Sequence, residues 1–175
     1  IQYLPEGSVS PSTHAPQPLL VQTVTVGHAS RFTTSVNQSL HMGQQQNPGI
    51  LLSTMVTVTG CSGLVAERPM YFTFRGINSG SDVVGATKTS TSSYFADVPT
   101  SAGSSSFVTT FLSIMNPPSG SAATIIVHYY AAGAQVGSQS ITVAPGSRGT
   151  LNPGSLRLPA HVGAIITSNH PVVLE

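Results

Sequence analysis

The chain has 175 residues, of which 39% are hydrophobic and only 6% are charged, and its formal net charge is +1. This length can bury the core of one medium β domain or two small ones, while so small a net charge provides no electrostatic footprint for nucleic acid or an anionic membrane. No apolar run approaches the roughly 20 residues that span a bilayer, so we expect no membrane insertion.

Few residues in the sequence could support catalysis, disulfide formation or metal binding. The single cysteine, Cys61, excludes an intramolecular disulfide and a multi-cysteine metal site. The six histidines show no paired spacing with another ligand, although a metal site needs three or four convergent ligands. The five acidic residues are scattered, and none stands near Cys61 to orient a base. We therefore predict no metal, no cofactor, no catalytic residue and no enzymatic activity.

The N-terminal part mixes linker-like and strand-like sequence. Residues 1–17 hold three prolines and little periodicity, which is typical of an extended lead-in or linker. Their apolar start, Ile1 to Leu4, has a second interpretation as a short strand that docks elsewhere. Further on, alternating β-branched residues predict strands over 19–26, 31–36 and 50–59.

The second part contains the clearest strands. We predict them over 70–74, 107–115, 122–130, 135–143, 162–167 and 172–175. Short β-branched and aromatic runs between turn signals, with no helical period over three turns, indicate an all-β protein. The predicted fold is an antiparallel β-sandwich, immunoglobulin-like or related.

Two blocks of sequence recur in the same order. Residues 23–33 match residues 140–150 with an offset of 117 positions, and residues 58–67 match residues 166–175 with an offset of 108. An insertion in the loop around 41–49 accounts for the difference, because a loop tolerates added residues best. We predict one full repeat preceded by the back half of another.

This repeat divides the chain into a lead-in over 1–17, a partial β repeat over 18–66 and a full β-sandwich repeat over 67–175. Because there is neither an initial Met nor a signal peptide, we expect a processed or shortened piece of a longer protein.

Five short motifs follow one another in the full repeat: Glu67-Arg68-Pro69-Met70-Tyr71-Phe72, Tyr94-Phe95-Ala96, Met115-Asn116-Pro117, Pro145-Gly146-Ser147-Arg148-Gly149-Thr150 and Pro171-Val172-Val173-Leu174-Glu175. The ordered set resembles one unit of the tandem β-sandwich repeats of large secreted and cell-surface bacterial proteins of unassigned function. This resemblance implies an extracellular or cell-surface location and a stalk, adhesive or accessory role. It carries over no catalytic residues.

Several charged residues stand at or beside repeat-equivalent positions, namely Arg31, Glu67, Arg68, Arg148 and Glu175. In a chain so poor in charge, we predict arginine–carboxylate or arginine–backbone hydrogen bonds that fix turns and the junction between repeats. A ligand site is the alternative interpretation.

The aromatic residues offer a second candidate surface. Most of them lie on predicted strands beside apolar neighbours, Tyr71 and Phe72 included, and we expect these in the core. The best candidates for exposure, and so for contact with a ligand such as a glycan, are Tyr3, Tyr94 and Tyr130.

These features favour a non-catalytic structural or adhesive module, with neighbouring repeats or other copies of the protein as its partners. A carbohydrate-binding accessory module is one alternative. A fibre subunit, whose apolar N-terminal segment adds a strand to a neighbour, is another.

Overall fold

The computed structural model describes residues 1–6, 18–41, 51–60, 63–74, 76–100 and 110–175. Nearly all regular structure in these ranges is strand, and the paired strands are antiparallel, which confirms the predicted all-β, sandwich-like fold class. The strands are β1 (Gln2–Pro5), β2 (Leu20–Val21), β3 (Leu52–Met55), β4 (Glu67–Phe74), β5 (Ile77–Val84), β6 (Ser90–Pro99), β7 (Leu112–Asn116), β8 (Ala123–Ala131), β9 (Ala134–Val143), β10 (Ser147–Leu151) and β11 (His161–Leu174). One short helix, α1 (Val36–Ser39), and a 3-10 turn (Pro153–Ser155) complete the elements.

β11 is the central element of a six-stranded sheet with the order β10-β7-β11-β8-β9, in which β6 also pairs with β11. The first part of β11 lies between β6 and β8, where Ile166 is opposite Ser93 and Val127. Its last residues pair with β7, where Val173 is opposite Met115. One strand therefore joins the β6, β8 and β9 strands to the β7 and β10 strands, and it replaces the two separate strands predicted at the C-terminus.

The core is formed by every second residue of the strands in this sheet. On β8, Ile125, Val127 and Tyr129 are completely buried, while Thr124 and Ile126 between them are exposed. This period of two is what a strand with one face in the core requires. Ile125, Val127 and Tyr129 belong to one hydrophobic core cluster. Its other members are Val98, Leu112, Ile114, Ala123, Val143, Leu151, Leu158, Val162, Ala164, Ile166 and Val172.

A three-stranded sheet with the order β2-β1-β3 contains the N-terminus. In its middle strand, Tyr3 is opposite Leu20 on one side and Thr54 on the other, and Tyr3 and Leu4 are completely buried. The apolar start is thus a strand rather than an extended lead-in, because its backbone is paired on both sides. The remainder of the predicted lead-in, residues 7–17, lies outside the described residues.

β4 and β5 form a hairpin that pairs with no other strand in the described ranges. Met70, Tyr71 and Phe72 on β4 are 37%, 87% and 47% exposed. The expectation that Tyr71 and Phe72 belong to a core is therefore wrong, because a two-stranded ribbon has no second layer of its own to cover its faces.

The segment 18–66 contains less strand than the sequence predicts. The alternation over 19–26 becomes a strand only at β2, and the run over 50–59 becomes one only at β3. Where a strand was expected over 31–36, the chain has no regular structure until α1 begins. A strand needs a neighbour for its amide and carbonyl groups, and the described part of the chain supplies one only for β2 and β3. Neither helix in the described residues is long and apolar enough to cross a membrane.

Candidate functional site

Four charged side chains lie close together where the N-terminal sheet, the hairpin and the six-stranded sheet approach one another: Glu6, Arg68, Arg148 and Glu175. Glu6 follows β1 and forms an isolated parallel bridge with Arg148 of β10, while Arg68 is on β4 and Glu175 follows β11. We call this group the charge cluster. It uses four of the eleven charged residues of the chain, so the cluster is where this protein concentrates its charge.

Arg148 is the buried member of the charge cluster, with 8% of its surface exposed. Its Nη2 donates a hydrogen bond to Ser113 Oγ at 2.7 Å, and its Nη1 lies 3.9 Å from Glu6 Oε2. Nη1 is buried and receives no hydrogen-bond partner from the described residues, so the nearby Glu6 carboxylate is what offsets its loss of water.

Opposing effects act on the pKa of Arg148. Burial lowers this pKa most strongly, Glu6 raises it, Arg68 lowers it, and Glu175 raises it again. A guanidinium does not deprotonate in proteins, so Arg148 remains a buried cation that depends on its acidic neighbours.

Arg68 and Glu175 form the second pair of the charge cluster. Arg68 Nη2 donates to Glu175 Oε2 at 2.5 Å, and the two side chains are 31% and 30% exposed. The backbone of Glu175 is fixed by Ser113, which donates its amide to the Glu175 carbonyl at 2.8 Å and accepts from the Glu175 amide at 2.9 Å. Ser113 on β7 therefore holds Glu175 through its backbone and Arg148 through its hydroxyl.

The charge cluster is arranged to join segments. Two guanidinium groups face two carboxylates, so the cluster balances its own charge. The Ser113 hydroxyl accepts from a cation, and a nucleophilic serine would need a base instead. Among the described residues, no group of three or more His, Cys, Asp or Glu side chains could hold a metal ion. Cys61 lies outside those residues.

The structure brings three of the five predicted charged residues together, namely Arg68, Arg148 and Glu175. Arg31 and Glu67 are exposed and lie outside the cluster, although each matches a cluster member in the sequence repeat. Sequence reasoning missed Glu6. The only signal for it was its rarity, as one of five acidic residues in the chain.

The three tyrosines proposed for ligand contact differ in exposure. Tyr94 on β6 is 74% exposed, and Tyr130 on β8 is partly buried. They lie on the same face of the sheet, because their partners on β11, Ile165 and Gly163, are two residues apart. The expected exposure of Tyr3 is wrong: it is 0% exposed in the middle strand of its sheet.

Two turns whose serines are 117 positions apart contain the same hydrogen bond. In each turn the serine hydroxyl donates to the carbonyl three residues earlier, at 2.6 Å for Ser30 and 2.7 Å for Ser147. The residue before each serine has a positive φ, 52° at Ala29 and 70° at Gly146. The same backbone geometry thus occurs at both places where the sequence blocks match.

The helical turns that follow also correspond. Ser35 caps α1 by accepting from the Gln38 amide at 3.4 Å, and Asn152 caps the 3-10 turn by accepting from the Gly154 amide at 2.9 Å. Ser35 and Asn152 are again 117 positions apart. The correspondence therefore extends beyond the matched sequence block.

Two buried tyrosines extend the correspondence to the sheets. Tyr3 donates its hydroxyl to Gln22 Oε1 at 3.2 Å, and Tyr129 donates its own to Gln139 Oε1 at 2.7 Å. Both tyrosines are completely buried, and the two glutamines are 117 positions apart. The order β2-β1-β3 corresponds to the order β9-β8-β11. In both sets the neighbouring strands are antiparallel, and the tyrosine is on the middle strand.

No protein-family model matches the chain, and no curated protein sequence does either. Among solved structures, the Anabaena sensory rhodopsin transducer aligns with a TM-score of 0.39 at 17% sequence identity, over 49% of this chain and 92% of that one. A likeness at this level supports no statement about function.

Proposed function

We propose that the chain is a non-catalytic structural or adhesive module of an extracellular or cell-surface bacterial protein, built from tandem β-sandwich repeats. Residues 67–175 are the full repeat, and residues 18–66 together with β1 belong to the back half of a preceding one. The observation that carries the proposal is the geometry shared by the turns at Ser30 and Ser147, which lie 117 positions apart.

The charge cluster gives the two repeats a fixed junction. Arg148 of the full repeat lies beside Glu6 of the half repeat, and Arg68, on the strand that begins the full repeat, pairs with the residue that ends it, Glu175. Repeat proteins depend on such contacts between neighbouring units. The Glu6–Arg148 pair crosses between the repeats, whereas Arg68–Glu175 lies within the full repeat; a cluster that uses four of the eleven charges for such contacts suits a structural role.

The resemblance to tandem repeats of bacterial secreted and surface proteins supports an extracellular or cell-surface location. In this proposal the partners are neighbouring repeats or other copies of the protein. A surface rich in Ser, Thr and Gly, with only 6% charged residues, is consistent with that role.

A reciprocal exchange of turns tests the repeat. Residues 27–31 (GHASR) and 144–148 (APGSR) are exchanged in the full-length chain. If the turns are equivalent, the exchanged chain folds, and its far-ultraviolet circular dichroism spectrum matches that of the wild type. If the exchanged chain is unfolded under conditions in which the wild type folds, the proposal is contradicted.

Glycan binding is the second candidate function, favoured by Tyr94 and Tyr130 on one face of the sheet. Exposed aromatic rings on a flat strand surface can stack against sugar rings. A glycan array separates the two functions: a structural module binds no glycan class, whereas saturable binding that is lost in Tyr94→Ala favours the accessory module.

A further inference from the structure

The outer face of the six-stranded sheet, opposite the core, carries a second set of polar and aromatic residues. Val162 and Ala164 of β11 are buried in the core, so His161 and Gly163, which alternate with them, lie on the outer face. Gly163 is partly exposed, and its neighbour across the strands on β8 is Tyr130. The bare backbone of Gly163 therefore has an aromatic residue on one side.

A β-bulge in β6 places an acid on the other side of Gly163. The pairing of β6 with β11 shifts register here, so that two residues of β6, Ala96 and Asp97, oppose the single residue Gly163. Phe95 and Val98, which flank them, both pack in the core, and both bulge residues are exposed. In a regular strand Asp97 would share the core face with Phe95, so the bulge is what brings its carboxylate outward.

His161 fixes this carboxylate. Its Nδ1 lies 3.1 Å from Asp97 Oδ1 and 3.3 Å from Oδ2, and the two side chains are 71% and 59% exposed. Because an ionised carboxylate only accepts hydrogen bonds, Nδ1 is the donor. The lone pairs that remain on Asp97 can accept from hydroxyl groups of a ligand.

The composition of this face favours a neutral sugar. A sugar ring has apolar faces, which Tyr94 and Tyr130 can contact, and an edge of hydroxyl groups, which can donate to Asp97. The three strands that form the face, β6, β8 and β11, contain no lysine or arginine. An anionic ligand would therefore meet the Asp97 carboxylate without a cation to offset the repulsion.

We infer that Tyr94, Asp97, Tyr130, His161 and Gly163 form a binding site for a neutral oligosaccharide, which we call the outer-face site. Asp97 accepts from two neighbouring hydroxyls of one sugar ring, the tyrosines contact ring faces, and Gly163 leaves room between them. This inference rests on the second candidate function, glycan binding, and adds a carboxylate, its histidine and a glycine to the two tyrosines.

The test applies the full-length chain to an array of neutral, sialylated and sulfated oligosaccharides. Saturable binding should be confined to neutral ones, and the neutral oligosaccharide with the strongest signal is then titrated by isothermal calorimetry. Tyr94→Ala and Asp97→Asn should each weaken its affinity about tenfold, through loss of a ring contact and of charge-assisted hydrogen bonds. The matched controls are Tyr71→Ala and Asp82→Asn, at exposed positions on the hairpin, which should leave the affinity unchanged.

Gly163→Val separates binding from folding. A Cβ at Gly163 would meet only backbone oxygens, the nearest at 3.6 Å, which is ordinary van der Waals contact, and valine suits a strand. The variant should therefore keep the melting temperature of the wild type, while its side chain fills the outer-face site and binding is lost. Gly163→Ala adds the Cβ alone and should weaken binding less, so it provides the reading if the valine variant does not fold.

A double-mutant cycle tests His161 as a positioning residue. His161→Ala should weaken binding in the wild-type background but have little further effect in Asp97→Asn, because the imidazole acts through the carboxylate. Equal effects in both backgrounds would assign His161 a role of its own and contradict the arrangement.

Binding that Tyr94→Ala weakens but neither Asp97→Asn nor Gly163→Val affects overturns the outer-face site and leaves glycan binding standing. Absence of binding to any neutral oligosaccharide, or binding to anionic ones alone, overturns the site. A dimer of the chain, detected by sedimentation, that Tyr94→Ala dissociates also overturns it, because another copy would then cover this face. The turn exchange needs no ligand, so it tests the repeat independently of all three results.

Discussion

Arg68 and Glu175 are 107 positions apart in the sequence, and their side chains form an ion pair between β4 and the C-terminal residue. Glu175 is held in turn by two backbone hydrogen bonds to Ser113. The pair therefore attaches a hairpin, which has no strand partner among the described residues, to the C-terminal end of β11, the central strand of the six-stranded sheet.

Removing this pair should have a small but measurable effect. Because both side chains are about a third exposed, we expect Arg68→Ala to lower the free energy of unfolding by roughly 0.5–1 kcal/mol. The loss should shrink at high salt, where screening weakens the pair in the wild type. Urea unfolding at two salt concentrations measures it, and Arg157→Ala, at an exposed arginine, is the control. An equal loss in both variants would mean that the ion pair contributes nothing.

Replacing Arg148 should cost more. Arg148→Ala removes the hydrogen bond to Ser113 and leaves Glu6 without its cation, so we expect a loss of about 2–3 kcal/mol. Arg148→Lys keeps the charge but cannot reach both partners with a planar group, and it should lie between alanine and the wild type. A lysine variant as unstable as the alanine variant would show that charge is not what Glu6 requires.

The two turns give a prediction with opposite signs. Ala29 has a φ of 52°, a conformation that disfavours residues with a Cβ, whereas Gly146 meets the same requirement with glycine. Ala29→Gly should raise the free energy of unfolding by roughly 0.5–1 kcal/mol, and Gly146→Ala should lower it by a similar amount or more. Gly63→Ala is the control, because an added Cβ there meets nothing within 4 Å. Changes of the same sign at Ala29 and Gly146 would contradict the equivalence of the turns.

Tyr129 should make the fold sensitive to alkali. Burial raises its pKa from 10.0 to about 12, so the folded state holds the phenolic proton more tightly than the unfolded state does. The resulting stabilisation is complete below pH 10 and is lost as the pH rises from 10 to about 12. In Tyr129→Phe, unfolding measured between pH 9 and pH 12 should show a shallower fall in stability. Tyr94→Phe, at an exposed ring, should keep the wild-type slope.

The sequence predicts well those strands that have a partner close by in the chain. The strands expected over 122–130 and 135–143 are observed as β8 and β9, because a short turn brings two alternating β-branched segments together. The strand expected over 31–36 is not formed. Its counterpart β10 pairs with β7, and periodicity alone cannot tell whether such a neighbour is present.

The contacts of the charge cluster could not be predicted because its members are far apart in the sequence. Its position in a repeated sequence block predicts a structural role for Arg148. The same reasoning applies to Arg31, at the equivalent position, which is exposed. The difference arises from Ser113 on β7 and Glu6 beyond β1, two residues that no local pattern connects to either arginine. The burial of Tyr3 was not predicted for the same reason: its strand is short, ends in a proline and pairs with residues about 50 positions away.

The most direct test of the junction between the half repeat and the full repeat is hydrogen exchange, followed by mass spectrometry, across a urea series. In the wild type, β1 and β8 should lose protection at the same urea concentration, because the charge cluster couples the two sheets. In Arg148→Ala, β1 should lose protection at a lower urea concentration than β8. A wild-type chain in which β1 exchanges well before β8, with no change in Arg148→Ala, would contradict the account.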